Sequence, residues 1–159
     1  MIPVLSPALI DEQPVVESLL QACLQELSHY APIPKDSSGR YIYRWVEYYW
    51  TSPKRHPYLM RLDGTVIGFV FVREREADED GAWQYEIAEF YLCPAYRNKG
   101  WGLAMACQLL ASHQGHWQIS YDKDNLTAQA FWTKVVHSFD PACIPIPEDD
   151  NRARYELVV

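Results

Sequence analysis

Two hydrophobic periods alternate along this chain, one helical and one close to two. Val15, Val16, Leu19, Leu20, Cys23, Leu24 and Leu27 recur at three- and four-residue steps, which predicts an amphipathic helix over 12–27. Pro14 suits its first turn. A short strand at 2–5 precedes this helix, and the proline- and serine-rich 31–39 reads as a loop. In 40–50, Tyr41, Trp45, Tyr48 and Tyr49 fall roughly on one helical face, so a second helix is predicted there, packing most of its aromatic stripe on the core.

The shorter period follows. Residues 58–62 and 65–73 read as two strands joined at Asp63-Gly64, a hairpin turn signal. The charged 73–81 reads as a solvated run with a second turn, and 82–93 as a strand that Pro94 stops. Helical spacing returns over 100–112 with Leu103, Met105, Ala106, Leu109 and Leu110. A strand at 117–121, a helix at 126–138 with Asn125 as its cap, a proline-rich acidic tail at 141–151 and a last strand at 155–159 complete the chain. The strand–helix–strand unit around Gly100 should close as a right-handed parallel crossover. The fold class is therefore α+β: a mixed, mostly antiparallel central sheet with helices on both faces.

Length and composition narrow the function. The 159 residues suit a single domain over 1–159, and 48% hydrophobic residues are too many for a disordered chain. A net charge of -7 argues against generic nucleic-acid binding. It favours cationic substrates such as protonated amines, although its main effect is solubility. No basic region followed by a long apolar run opens the chain, and no stretch has transmembrane length, so a cytoplasmic protein without a membrane partner is expected. Cys23, Cys93, Cys107 and Cys143 lack metal-type spacing, and His113 and His116 flank Gly115 in a loop. Reduced thiols and no metal site are expected.

The candidate chemistry lies at Arg97-Asn98-Lys99-Gly100-Trp101-Gly102, between a predicted strand and a predicted helix. Glycine lets the backbone come close to a ligand. The first helical N–H groups have no partner within the helix, and the helix dipole adds partial positive charge there. Such a turn is a socket for a phosphate group. A Walker loop is absent. A dinucleotide fingerprint is incomplete, because Met105 stands where its third glycine belongs and 94–99 is too long a loop.

The hexapeptide satisfies [RQ]-x-x-G-x-[GA], and the run from Glu89 to Gly100 has the strand-plus-loop form that goes with it. One strand later Asn125, Ala128, Phe131, Trp132 and Lys134 match N-x-x-A-x-x-[FL]-[YW]-x-K, and Ile67-Gly68-Phe69 lies in a matching hairpin. In these features the chain resembles the GNAT superfamily of acyl-CoA-dependent N-acetyltransferases, most clearly over 58–139.

The resemblance implies a splayed pair of parallel strands ending near Cys93 and Tyr121, with acetyl-CoA between them as co-substrate. Its diphosphate would sit on the amides of Arg97, Asn98, Lys99, Gly100, Trp101 and Gly102. Its pantetheine arm would run along the strand edge near Leu92 and Cys93, with contacts from Asn125, Phe131 and Trp132. Asn125 has equal claim to a plain capping role. The implied reaction is direct attack of a primary amine on the thioester, with a backbone N–H near Leu92 holding the oxyanion.

Glu89 and Glu86 are the candidate bases. Residues three apart on a strand point to opposite faces, so one of them at most should face the cleft unless a bulge changes the parity. Many relatives place a tyrosine at position 132 to protonate the departing thiolate. Trp132 is far too weak an acid for that, which leaves Tyr121 or Tyr91 to substitute, or the thiolate to leave unprotonated. The acceptor pocket would draw on the first two helices, with Tyr30, Tyr41, Tyr48 and Glu47 suiting a small-molecule or amino-acid-like amine. The alternative is a non-enzymatic module that binds CoA or a partner on the same fold. Exposed aromatics would also suit a homodimer contact.

Overall fold

In the computed structural model, which describes residues 1–75 and 83–159, seven strands form one sheet. They are β1 (Val4–Pro7), β2 (Arg55–Leu62), β3 (Thr65–Glu74), β4 (Tyr85–Leu92), β5 (His116–Asp122), β6 (Ile146–Pro147) and β7 (Arg152–Val158). Their order across the sheet is β1-β2-β3-β4-β5-β7-β6. Every neighbouring pair is antiparallel except β4 and β5. The helices are α1 (Gln13–Leu27), α2 (Tyr48–Thr51), α3 (Trp101–Ser112) and α4 (Leu126–His137). The expected mixed, mostly antiparallel sheet with one parallel pair is the observed one.

The uninterrupted apolar run of β3 reflects burial on both faces. Val70 and Val72 point into a core shared with Met105, Leu109 and Val135 of α3 and α4. Phe69 and Phe71 point the other way, onto Val16, Leu20 and Leu24 of α1 and Tyr49 of α2. Gly68 has no room for a side chain, since a Cβ there would lie 2.3 Å from the Tyr91 carbonyl oxygen and 2.9 Å from Met60 Sδ.

The helix predicted over 40–50 is reduced to Tyr48–Thr51. Its first half is pinned by tertiary contacts. Lys35 and Tyr41 form an isolated β-bridge. The Gln21 side chain brackets Tyr41, donating to its carbonyl at 2.9 Å and accepting from its amide at 2.8 Å. Trp45 has a φ of 66°, which a helix cannot contain. Most residues of 40–50 are aromatic or β-branched, with helix preferences too weak to resist such pinning. Further differences are β1 at Val4–Pro7 where 2–5 is predicted, the start of β2 at Arg55, the short β6 within the predicted tail and the start of β7 at Arg152. The turn predicted within 73–81 falls from 76 onward outside the described residues. Among the described residues no helix is long and apolar enough to cross a membrane, and no group of three or more His, Cys, Asp or Glu is placed to hold a metal ion.

Candidate active site

The parallel pair is joined over three positions only: Tyr85↔Trp117, Glu86↔Gln118 and Ile87↔Ile119. Beyond them β4 continues to Leu92 against β3, and β5 continues to Asp122 against β7. Beyond Ile87 and Ile119 the two facing edges have no ladder partner in each other, which leaves strand-edge backbone groups toward the opening. A bulge accompanies the parting. Phe71 pairs with Glu89 but Val72 with Ile87, so Ala88 is an extra residue, and bulges bend the strand that carries them. Phe90 and Phe131 (centroids 5.4 Å apart) and Trp132 (5.2 Å from Phe90) occupy the α4 side of the opening.

At the end of β4 the Cys93 amide donates to Ile67 O at 2.8 Å. Ladder alternation therefore turns the Leu92 amide to the other edge, toward the opening. The Leu92 carbonyl accepts from Arg97 Nε at 2.7 Å, and Arg97 Nη2 reaches both Glu26 oxygens at 2.9 and 3.0 Å. The Arg97 amide donates to Pro94 O at 3.2 Å. Both the side chain and the amide of Arg97 thus tie the strand end to α1 and to its own turn.

The next five amides are different. Asn98 (φ 62°) and Gly100 (φ 81°) are left-handed. Among the described residues, the amides of Asn98, Lys99, Gly100, Trp101 and Gly102 donate to no protein acceptor; the first helical bond is Ala104 N–H to Gly100 O at 3.1 Å. Asn98, Lys99 and Gly100 are exposed, and nothing lies within 4 Å of where a Gly100 Cβ would be. This open row of donors at a helix start fits a diphosphate. Gly102 plays another part: a Cβ there would meet Phe131 Cε1 at 3.2 Å and Leu92 Cδ2 at 3.6 Å, so it lets the start of α3 lie against α4 and the end of β4.

The bulge also sets the carboxylates. A regular strand would put Glu86 and Glu89 on opposite faces, but the extra Ala88 brings both to the α1 and α2 face. Ile87 and Phe90 belong to the α3 and α4 core, whereas Ala88 and Tyr91 belong to the other. Glu86 is neutralised by Arg73 Nη1 at 3.0 Å and accepts from Gln118 Nε2 at 2.9 Å. Glu89 accepts a long hydrogen bond from the Tyr43 hydroxyl, at 3.5 Å. Burial pushes the Glu89 carboxyl up to about 8; Arg152 opposes this, and Glu86 and Asp122 add to it. Burial and Glu89 together push the Tyr43 phenol well above its ordinary range.

The remaining predicted residues disperse. Tyr121 is buried among the α3 and α4 core, its ring 6.0 Å from Tyr155, on the sheet face opposite Glu86 and Glu89. Burial pushes its phenol up, as it does that of Tyr91. Asn125 caps α4, its Oδ1 accepting from the Ala128 amide at 3.0 Å. Trp132 is buried edge-on against Phe131 and Phe90. Tyr41 braces the 31–41 loop on α1, and Tyr30 is exposed beyond the end of α1. Glu47 is exposed, and Tyr48 stacks on Trp45 at 5.6 Å.

A cleft of about 390 Å3 opens instead over Glu86, with Tyr43 and Trp45 in its wall. Arg55, Arg73 and Arg152 line it too, none of them singled out from sequence. A signal for Tyr43 existed: Tyr41, Tyr43 and Trp45 alternate with period two, the mark of an extended segment. The arginines carried no such mark.

A family profile described as "Acetyltransferase (GNAT) family" matches residues 19–137, well over half the chain. The chain belongs to the GNAT acetyltransferase family. No curated protein matches it. An acetyltransferase structure from Thermus thermophilus is similar over 100% of this chain and 98% of its own, with a TM-score of 0.75 at 12% identity. The PaiA N-acetyltransferase of Thermoplasma acidophilum, solved with coenzyme A, is similar over 100% of both chains at a TM-score of 0.67 and 15% identity. A Vibrio cholerae spermidine N-acetyltransferase, solved with CoA and spermine, is similar over 98% of this chain and 95% of its own at a TM-score of 0.69 and 11% identity. At these identities the likeness establishes the GNAT fold, and family membership makes the chain an acyl-CoA-dependent acyltransferase.

Proposed function

We propose that this GNAT protein transfers an acetyl group from acetyl-CoA to the primary amine of a small-molecule or amino-acid-like acceptor by direct attack. The observation that carries the reading is the row of five unpartnered amides at the start of α3, beside a strand opening that Glu89 flanks. Asn98, Lys99, Gly100, Trp101 and Gly102 would hold the diphosphate of the donor. The free edge of β4 would pair with its amide arm, and the donor supplies an activated thioester.

The chain's own chemistry then has two parts. The Leu92 amide, turned toward the opening, is placed to hold the oxyanion that develops on the acyl carbonyl. Glu89 is desolvated to a basicity near that of the medium, as suits a group that must take a proton from an ammonium, directly or through water. Tyr43 orients its carboxylate. With Trp132 packed on Phe90 and Phe131, and burial pushing the phenols of Tyr121 and Tyr91 up, the thiolate leaves without a tyrosine acid, which a thiol pKa of about 8.5 permits.

The test is calorimetric titration with acetyl-CoA, then turnover on an amine panel read as free thiol. Micromolar binding and a turnover that Glu89→Gln removes are expected. Binding without turnover on any amine would favour the second reading, a CoA-binding module without catalysis, for which the missing tyrosine at Trp132 speaks. No binding would remove both.

A further inference from the structure

We infer that the acceptor amine carries an oxyanion, a carboxylate or a phosphate, and that Arg55 and Arg44 receive it. This rests on the acetyl-transfer reading only for which end of the acceptor is the nucleophile.

The chain has 21 acidic residues against 14 lysines and arginines, so its cations should find partners readily. In the cleft over Glu86 the balance is reversed: Arg44, Arg55, Arg73 and Arg152 face only Glu86 and Glu148. Both carboxylates are already claimed. Glu86 pairs with Arg73 at 3.0 Å, and Glu148 with Arg152 at 3.4 Å, while Arg152 also holds Asp122 at 3.2 Å.

Two guanidinium groups remain. Arg55 lies over the Tyr49 ring at 5.6 Å and Arg44 over the Trp45 ring at 6.0 Å, and among the described residues neither has an ion-pair partner. A guanidinium beside an aromatic face keeps N–H groups for a planar anion, and at Arg55 the Tyr49 hydroxyl is a polar neighbour of that fork. A second observation points the same way. Among the described residues Arg73 Nε is buried without a hydrogen-bond partner, although its Nη1 is bound to Glu86. Arg73 is itself a lining residue of the cleft, so a polar group that the fold leaves unsatisfied belongs to its wall.

The volume, about 390 Å3, is that of a small-ligand site. An amine held at the β4 wall, where Glu86, Ile87 and Ala88 line the cleft, would carry its anionic group toward Arg55 on β2 and Arg44 at the rim. An acceptor with a second cation, by contrast, would meet unpaired arginines.

The experiment is calorimetry on the full chain, with and without saturating CoA, using matched ligands: an amino acid, its decarboxylated amine, its carboxamide, and an amine bearing a phosphate monoester. At least one oxyanion-bearing ligand is expected to bind about tenfold or more tightly than the amine lacking the anion. Whether carboxylate or phosphate binds better tells which anion the site takes. Arg55→Gln is expected to reduce that preference to about twofold. Arg44→Gln, at an exposed rim residue whose loss should leave folding intact, is expected to reduce it as well. Equal or tighter binding of the decarboxylated amine or the carboxamide, or no binding of any oxyanion-bearing ligand at millimolar concentration, overturns the inference. Thiol release is read separately: anion preference without turnover removes acetyl transfer but keeps the anion site, and turnover without anion preference does the reverse.

Discussion

In the proposed reaction Glu89 carries most of the proton chemistry, and its behaviour follows from where it sits. Its carboxyl is pushed up to about 8 chiefly by burial. A base must be ionised to act, so kcat/KM is expected to rise as pH passes through about 8. Glu89→Gln should lower kcat/KM by roughly 10²–10⁴-fold and remove that rising limb. Tyr43 donates to the ionised form and so holds the pKa down. Tyr43→Phe should therefore move the limb to higher pH, and a shift to lower pH would refute the assignment of Tyr43 as the positioning residue. The glycines separate in the same way. At Gly100 the space is open and the φ of 81° is the only obstacle to a side chain. Gly100→Ala should cost about 1–2 kcal/mol in the turn and weaken acetyl-CoA binding about tenfold or more, as calorimetry would register. Gly102→Val would instead press on Phe131 and Leu92, and thermal melting should register it first.

At the scale of elements, one extra residue in β4 does what regular alternation could not. Ala88 turns Glu86 and Glu89 to the same face, and the strand then leaves β5. The arrangement needs β3 and β4 in close register, and Gly68 is where that closeness is tightest. Gly68→Ala would drive a Cβ against the Tyr91 carbonyl, which backbone cannot relieve locally. A loss of about 2–4 kcal/mol in denaturant unfolding is expected, well above an ordinary surface substitution. The four-residue α2 shows the reverse dependence. It stands where contacts from Gln21 and Lys35 leave room for it, not where its aromatic spacing alone predicts a longer helix.

Across the whole molecule the sheet separates two tasks. The α3 and α4 face presents the amide row, the α1 and α2 face presents the carboxylates and arginines, and the parted β4 and β5 connect them. Keeping a desolvated carboxyl in that position has a consequence for stability. The folded pKa of Glu89 lies above the ordinary 4.5, so the native state binds a proton that the unfolded chain releases. The stabilisation from this site is full below about pH 4.5 and is lost as pH rises toward about 8. Across that window the difference amounts to a few kcal/mol. Melting temperature measured across that window should fall more steeply for the natural protein than for Glu89→Gln.

The sequence by itself determined the strand and helix order over most of the chain, the glycine turn before α3 and the family, because these signals are local. A hydrophobic period, a glycine before a helix and a spacing of a few residues are complete within one short stretch. Tertiary structure decided the rest. Whether Glu86 and Glu89 share a face depended on how β4 registers on β3. That Tyr43 meets Glu89 and Arg152 meets Asp122 depended on chain segments 46 and 30 residues apart coming together. Tyr41, chosen for an aromatic stripe, went to loop bracing once the backbone was pinned at Gln21. Charge followed the same rule: a chain acidic in sum folds an arginine-lined cleft, because net charge adds over residues whereas a local field depends on which of them meet.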